Sequence, residues 1–342
     1  VYKRQLNIET ERPELTGGKD WALKTQVKTG SFGYVNPYLR YSQRLGSRTT
    51  ASIDADYLRS DGQYPFMLEN GKYTSEAKRY NSEVDSWHTE ANLFHEFGEN
   101  SELAVKGYYY QSDRGLPGAV ILYNPYSQEH LWDKNGFIQA RLKHRFSDKW
   151  SLQAQTKYNY SWNKYQDKGV QYEGGVSTDR YTQHEYYASG TVLYQPLDGL
   201  SVSLAQDVAV NTLSSTLADC PFPTRFTSLT ALQIQYRYRR FKFGTTWVNT
   251  WITEHVKEGE RPDDLKKISP TVSLSWQPWK EQALYLRAMY KNTFRTPTFN
   301  DLYYYRMGNR SLRPEKATEY NIGVTWSANP HPLLEYLTVT AD

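Results

Sequence analysis

Residues 152–162 read LQAQTKYNYSW, and their side chains alternate in polarity. One parity carries Leu152, Ala154, Thr156, Tyr158, Tyr160 and Trp162, whereas the other carries Gln153, Gln155, Lys157, Asn159 and Ser161. A β-strand points successive side chains to opposite faces, whereas a helix would scatter each set around its circumference. The stretch therefore predicts a strand with one apolar face and one polar face.

The same alternation recurs on both sides of this stretch. In residues 136–146, Ile138, Ala140, Leu142 and Phe146 oppose Gln139, Arg141, Lys143 and Arg145. In residues 268–277, Ile268, Val272, Leu274 and Trp276 oppose Ser269, Thr271, Ser273, Ser275 and Gln277. These patterns predict an all-β protein in which one face of each strand is wet.

Composition is compatible with strands that cross a membrane. The 342 residues have a mean hydropathy of −0.78, with 30 Tyr and 10 Trp, and no stretch reaches the roughly 20 apolar residues of a spanning helix. Strands that span a membrane are not detected by hydropathy analysis, because about half of their residues are polar. The net charge of +4 does not indicate nucleic-acid binding, and the single Cys220, in a predicted loop, forms no intramolecular disulfide.

Connections alternate between short turns and long loops. Short turns are predicted at Gly46 and Ser47, at residues 98–101, 147–149 and 196–199, near Arg239, and at residues 278–282 and 328–332. Long loops are predicted at residues 60–80, 113–134, 164–181, 213–225, 256–267 and 295–317. Because an antiparallel meander puts alternate connections at opposite ends, this order is typical of an outer-membrane barrel.

About fifteen strands are predicted, beginning near residues 21, 33, 48, 81, 101, 135, 149, 181, 199, 225, 241, 267, 282, 317 and 333. An odd number with a last strand running to Asp342 leaves unpaired edges, which lipid penalises. The chain also begins at Val1 without a methionine or a signal peptide, and residues 1–5 need not be native. We therefore expect residues 1–342 to be part of an antiparallel up-and-down transmembrane β-barrel, incomplete as given.

Residues 294–323 contain a motif. It reads Phe294, Arg295, Thr296, Pro297, Thr298, Phe299, Asn300, Asp301, Leu302 and Tyr303, then Gly308, Asn309, Leu312, Arg313, Pro314, Glu315, Thr318, Glu319, Tyr320 and Gly323. This segment resembles the barrel signature of TonB-dependent receptors, of the form FR-x-PTF-x-DLY followed by N-x-x-L-(K or R)-PE. Residues 115–119 and 34–37 are also similar to this family, whereas Asn321 stands where many members have Glu.

The resemblance implies an outer-membrane receptor of a Gram-negative cell. Such receptors have a barrel of 22 strands around an N-terminal plug and import scarce, bulky ligands with energy relayed by the TonB complex. About fifteen strands would then be present here, with the plug and the TonB-contacting segment upstream and the closing strands downstream. The implied partners are membrane lipid, the plug, TonB and a small-molecule or metal-chelate ligand, with a ferric siderophore or a corrinoid as the leading ligands and a glycan third.

Aromatic residues in the long loops are candidates for ligand binding. They are Tyr123, Tyr126 and Trp132 in one loop, and Tyr303, Tyr304 and Tyr305 with Arg306 in another. Packing among the loops is the alternative role for both groups. Trp162, Trp247, Trp251 and Trp276 are expected at the headgroup level, and the basic run Arg237, Tyr238, Arg239, Arg240 and Lys242 is expected at a solvated turn.

Enzyme chemistry finds little support, and no metal or cofactor is expected. His88 and His95 lie an odd number of residues apart on one predicted strand, so they project to opposite faces and cannot share a metal. The chain has no H-E-x-x-H, no phosphate-binding glycine loop and no G-x-S-x-G motif. A passive porin and, more remotely, an outer-membrane barrel hydrolase remain as alternatives to an importer.

Overall fold

A computed structural model describes residues 10–13, 15, 18–120, 127–304, 308–328 and 336–341. The described chain is almost entirely antiparallel β-structure. The strands are β1 Trp21–Thr29, β2 Val35–Gly46, β3 Thr49–Ser60, β4 Pro65–Asn70, β5 Tyr73–Lys78, β6 Val84–Glu96, β7 Ser101–Leu116, β8 Glu129–Arg145, β9 Trp150–Lys168, β10 Val176–Leu197, β11 Leu200–Ser215, β12 Thr224–Tyr238, β13 Phe241–His255, β14 Leu265–Trp276, β15 Ala283–Arg295, β16 Glu315–Ala328 and β17 Leu337–Ala341. The helix α1 spans Phe299–Tyr303, and a single 3-10 turn spans Glu173–Gly175.

Fifteen strands form one sheet in chain order, β1-β2-β3-β6-β7 and so on to β17, whereas β4 and β5 form a separate hairpin. The predicted number of strands in the main sheet is confirmed. Among the described residues, β1 and β17 each have a partner on one side only. None of the helices in the described residues is long and apolar enough to span a membrane.

The chain divides into two compact units. Unit 1 consists of Val1–Leu142 and Lys157–Thr182, and unit 2 consists of Lys143–Thr156 and Gln183–Asp342. In unit 1, one face of β2, β3, β6 and β7 buries polar side chains, among them Ser42, Asp54, Asn92 and Ser112. The other face exposes large apolar side chains, for example Leu39 at 42%, Ile53 at 47% and Trp87 at 55%.

This polarity is the reverse of that in a water-soluble protein, in which such a contiguous apolar surface would be buried. It is the polarity that a strand needs when lipid covers one face and polar groups cover the other. We call the two surfaces the apolar face and the polar face.

Unit 2, taken by itself, also has an apolar face, and aromatic rings border it at both ends on β13 and β14. On β13 and β14, Phe241 pairs with Trp276 beside the short turn, and Trp251 pairs with Lys266 near the opposite end. Trp251 lies ten residues after Phe241 on β13, which is about 33 Å along a strand and about 25 Å across a bilayer at a tilt of roughly 40°. The spacing matches an apolar band of about 25 Å between two aromatic girdles.

Two of the predicted short turns contain a residue with a positive φ. At Asp198 and Gly199, Gly199 has a φ of +82°, and a Cβ there would lie 2.2 Å from the carbonyl oxygen of Arg237. The predicted basic turn joins β12 to β13 through Arg239 and Arg240, and Arg239 also has a positive φ, of 51°. The predicted turn near residues 328–332 falls largely outside the described residues.

Three predicted long loops contain more strand than expected. β7 continues to Leu116 and β8 begins at Glu129, so residues 113–116 and 129–134 of the predicted loop 113–134 are strand. Likewise, β9 runs to Lys168 and β10 begins at Val176, and residues 60–80 contain the hairpin β4-β5. These boundaries were wrong because alternation of apolar residues marks only the part of a strand with an apolar face, whereas backbone pairing continues beyond it.

Candidate functional site at the long-loop ends of the strands

The signature motif forms a capped helical turn. Thr298 caps α1: its hydroxyl accepts a hydrogen bond from the Asp301 backbone N–H at 3.2 Å, and the Asp301 carboxylate accepts from the Thr298 backbone N–H at 2.8 Å. This backbone hydrogen bond, followed by that from the Thr298 hydroxyl, lowers the pKa of Asp301. Arg295 adds an ion pair to Asp301 at 3.1 Å. Residues of the motif therefore hold one another in place.

A buried ion pair anchors this turn to the sheet. Arg225 near the start of β12 donates to the Glu254 carboxylate at 2.8 Å and to the Pro297 carbonyl at 2.8 Å. The Glu254 side chain is only 3% exposed and that of Arg225 12%. The pair has additional hydrogen bonds, which a buried salt bridge needs to offset its desolvation.

Tyr303 completes the cluster. Its hydroxyl donates to the second carboxylate oxygen of Glu254 at 2.6 Å, and its ring lies 5.9 Å from that of Phe299. Burial, and then the hydrogen bond to Glu254, raises the pKa of Tyr303 well above its ordinary value. The Arg225 guanidinium lies 4.8 Å from the centre of the Phe299 ring. We call Arg225, Glu254, Phe299 and Tyr303 the signature cluster.

The second half of the motif packs onto the first. The Asn309 backbone N–H donates to the Asp301 carbonyl at 2.9 Å, and the Arg310 guanidinium lies 5.7 Å from the centre of the Tyr303 ring. Arg310 also pairs with Asp219 in the loop between β11 and β12, at 3.2 Å. Leu312 and Pro314 precede β16, which begins at Glu315. Most of the described motif residues thus pack against the ends of β12 and β13 and against the connection between β11 and β12.

The predicted ligand residues fall into different environments. Tyr303 belongs to the signature cluster. Its contacts therefore agree with packing among the loops, which is the alternative to ligand binding. Tyr304 follows α1 directly, and its backbone N–H donates to the Asn300 carbonyl at 3.3 Å. Tyr123, Tyr126, Tyr305 and Arg306 lie outside the described residues, and their ligand-binding role stays a prediction.

The prediction that Trp132 lies in a loop was wrong. It lies in β8 with the parity of Ile138, which is 56% exposed on the apolar face. Its indole N–H donates to the Asp113 carboxylate at 2.9 Å, and the Lys164 ammonium lies 4.0 Å from its ring centre. Amphipathic rings with a polar partner are typical of the membrane interface.

Sequence reasoning missed two aromatic groups. At the long-loop ends in unit 1, Phe32, Tyr64 and Phe66 form a chain of ring contacts of 6.0 and 6.2 Å beside the hairpin β4-β5. On the polar face, Tyr108 stacks on Phe137 at 4.9 Å. Phe137 has the parity of polar residues on β8, and that exception to the alternation was a usable signal.

Charged side chains surround the second group. His88 contacts the Asp56 carboxylate at 2.8 Å and that of Glu90 at 3.3 Å, and Lys106 pairs with Glu90 at 2.5 Å. Lys157, predicted on a polar face, lies 4.5 Å from the centre of the Phe137 ring. His95 is paired with Thr49, on the opposite face from His88, as the odd spacing predicted. No group of three or more possible metal ligands occurs within the described ranges.

Comparison with known proteins identifies the family. A family model described as "TonB dependent receptor-like, beta-barrel" matches residues 134–341. The chain belongs to the TonB-dependent receptor family. The resemblance of residues 294–323 is thereby confirmed, and this family is one of receptors and transporters, with no enzyme family indicated.

Solved structures share the receptor barrel fold. The copper transporter OprC has a TM-score of 0.70 and 13% identity, with 92% of this chain and 53% of that chain covered. The iron transporter FrpB (F3-3 variant) of Neisseria meningitidis has a TM-score of 0.69 and 13% identity, with 90% of this chain and 53% of that chain covered. The siderophore receptor PiuA of Acinetobacter baumannii has a TM-score of 0.60 and 11% identity, with 92% of this chain and 55% of that chain covered. The chain therefore spans about half the length of these receptors, and at such identities they share its fold; no curated protein sequence matches.

Proposed function

We propose that this chain is part of an outer-membrane receptor of a Gram-negative cell that imports a bulky, scarce nutrient with energy relayed by TonB. The observation that carries the proposal is the reversed polarity of the sheet in a TonB-dependent receptor. Exposed apolar side chains such as Ile53 and Trp87 suit lipid, whereas buried polar side chains such as Asp54 and Asn92 suit a polar lumen.

The polar face in unit 1 is suited to a plug domain. Asn92 Oδ1 and Ser112 Oγ are buried there without a hydrogen-bond partner among the described residues, and such groups generally require one. Residues ahead of β1 already use this face: Glu11 lies 3.4 Å from Arg40, and Arg12 pairs with Glu96 at 2.5 Å. We infer that a plug upstream in the chain lies on this surface and that further strands complete the barrel.

The ligand class proposed is a ferric siderophore, with a corrinoid second. The aromatic side chains of Phe32, Tyr64 and Phe66 at the long-loop ends offer a surface for a large, partly apolar chelate. The occurrence of siderophore receptors among proteins of the same fold supports this class.

Uptake by whole cells tests the proposal. Cells that lack their own siderophore receptors would express the full-length protein, and uptake of radioactive ferric siderophores and cyanocobalamin would be measured with and without a protonophore. We expect saturable uptake of one of these ligands that stops when the protonophore is present. Unsaturable uptake that persists in de-energised cells would establish a passive porin instead.

A double variant and a control variant test whether the aromatic surface binds the ligand. The Tyr64→Ala, Phe66→Ala double variant is expected to raise the ligand concentration for half-maximal uptake about tenfold, since two aromatic contacts of the order of 0.5–1.5 kcal/mol are lost. Tyr320→Ala is the matched control, because Tyr320, on β16, is 77% exposed and is not part of this aromatic group. Equal effects in the two proteins would exclude the aromatic surface as the ligand site.

A further inference from the structure

The hairpin β4-β5 is connected to the main sheet by a segment that makes many hydrogen bonds. Residues 79–83 lead from the end of β5 to the start of β6. An amide nitrogen carries two N–H donors, and that of Asn81 donates to the Leu116 carbonyl at 2.9 Å and to the Glu129 carbonyl at 2.7 Å. Leu116 is the last residue of β7 and Glu129 is the first of β8. The Asn81 side chain therefore bridges the ends of two strands.

The backbone of the same segment lies close to the end of β7. The Gly115 backbone N–H donates to the Glu83 carbonyl at 3.0 Å. The Arg79 side chain donates to the Gly118 carbonyl. A Cβ at Gly115 would lie 2.6 Å from the Asn81 carbonyl oxygen, so a larger residue there would force the two segments apart. Asn81 has a φ of 54°, a left-handed conformation that asparagine adopts more readily than most residues.

The other leg of the hairpin contacts this segment. The Ser82 hydroxyl donates to the Gly62 carbonyl at 2.7 Å, and a Cβ at Gly62 would lie 2.2 Å from the Ser82 carbonyl oxygen. The Asp61 backbone N–H donates to the Phe32 carbonyl at 2.9 Å. Both legs of the hairpin are thus held at its base. We call residues 79–83, Gly62 and Gly115 the hairpin joint.

The hairpin joint determines where the aromatic rings of the hairpin lie. The Arg79 backbone N–H donates to the Tyr64 carbonyl at 2.9 Å, directly beside the first pair of β4-β5. The Tyr64 ring in turn contacts the rings of Phe32 and Phe66. A hairpin of two strands is only marginally stable by itself. Its orientation therefore depends on the contacts at its base.

We propose that Asn81 is a positioning residue for ligand binding: it fixes the hairpin β4-β5 on β7 and β8, so that Tyr64 and Phe66 present their rings in one orientation. The inference rests on the proposed function and names a residue that acts on it from outside the aromatic surface. A ligand that requires one orientation binds less tightly in proportion to the fraction of molecules that have it. Loosening the hairpin joint therefore lowers the apparent affinity without changing the import step.

Uptake by whole cells and hydrogen exchange of the full-length protein test this role. Gly115→Ala forces β7 away from Asn81 and alters no aromatic residue. The probes are radioactive ferric siderophores and cyanocobalamin. We expect the concentration for half-maximal uptake to rise about fivefold, as it would if the hairpin kept its orientation in about a fifth of the molecules. The maximal rate should stay unchanged, and the amide hydrogens of residues 65–78 should exchange faster while those of β3 keep their rates.

Gly107→Ala is the matched control, because Gly107 is on the same strand and a Cβ there has nothing within 4 Å. It should behave as wild type in both measurements. Asn81→Gly is the second variant if Gly115→Ala does not fold. It permits the left-handed backbone and removes the two hydrogen bonds of the side chain, so it should raise the half-maximal concentration to a similar extent.

The proposal would be overturned by wild-type half-maximal concentrations in both variants, by a change in the maximal rate alone, or by unchanged exchange of residues 65–78. If the Tyr64→Ala, Phe66→Ala double variant weakens uptake and the joint variants do not, only this inference fails. If wild type takes up neither probe, the proposed ligand class fails and this inference fails with it.

Discussion

Glu254 shows how much one residue of the sheet contributes to a loop. Its carboxylate is nearly inaccessible, and its two oxygens bind Arg225 on the neighbouring strand and Tyr303 in α1. Burying a carboxylate is costly unless charged and hydrogen-bonding partners surround it. The conformation of the signature loop therefore depends on a residue that the signature itself does not contain.

Substitution of Glu254 tests this dependence. Glu254→Ala leaves Arg225 buried without its counter-ion, so we expect the free energy of unfolding to fall by about 3 kcal/mol in a urea titration of the full-length protein in vesicles. Glu76→Ala on the exposed hairpin β5 is the control, with an expected change within about 0.5 kcal/mol. Similar losses in the two variants would contradict the role of Glu254.

Alkaline titration tests the environment of Tyr303. Because its pKa is raised in the folded protein, its stabilising contribution is fully present below about pH 10 and is lost as the pH rises through the higher folded value. The difference in tyrosinate absorbance between wild type and Tyr303→Phe should be flat through pH 10 and rise only well above it. A difference with a midpoint near pH 10 would show that Tyr303 is solvated.

At the scale of the element, the two faces of one strand respond differently to charge. Leu204 on β11 is 53% exposed and pairs with Leu232 on the apolar face, whereas the neighbouring Ser203 points to the opposite side. Leu204→Arg is expected to cost about 2–4 kcal/mol of unfolding free energy in vesicles. Ser203→Arg should cost less than about 1 kcal/mol, and the reverse ranking would invert the assignment of the faces.

A short turn provides a second test at this scale. Gly199→Ala forces a Cβ into contact with the Arg237 carbonyl at a positive φ, so we expect a loss of about 1–3 kcal/mol on the same urea titration. Gly190→Ala on β10 is the matched control, because a Cβ there has nothing within 4 Å. An alanine at Gly190 should be neutral or mildly stabilising, since glycine is unfavourable inside a strand.

At the scale of the whole molecule, the two aromatic girdles define a depth in the bilayer. Single-tryptophan variants in vesicles with brominated lipids would report that depth by fluorescence quenching. We expect Trp251 and Trp276 to be quenched best by bromine near the headgroups. Trp247, which was expected at the headgroup level from its sequence, lies between the girdles on β13, so we now expect it to be quenched best by bromine deeper in the acyl chains. Equal quenching of all three by aqueous iodide would exclude the membrane placement.

The alternation of residues 152–162 and its repeats, with the order of short and long connections, sufficed to predict the strands of the main sheet, their order and their two faces, although not the hairpin β4-β5. These features are local, because a period of two fixes the side on which each residue lies and short turns fix which strands are neighbours. The 294–323 motif similarly sufficed to predict the family. Extension of β8 to include Trp132 was not predictable in this way, since paired backbone beyond the apolar band needs no alternation.

Only the tertiary structure decided which distant residues meet. Arg225 and Glu254 are 29 residues apart, and Glu254 and Tyr303 are 49 apart, so their contact depends on the register of β12 and β13 and on how a loop folds back over them. The contact between Trp132 on β8 and Lys164 on β9 likewise depends on pairing between strands. The sequence by itself determined the polarity of each face, because that property belongs to single strands, whereas the signature cluster exists only once strands and loops have packed.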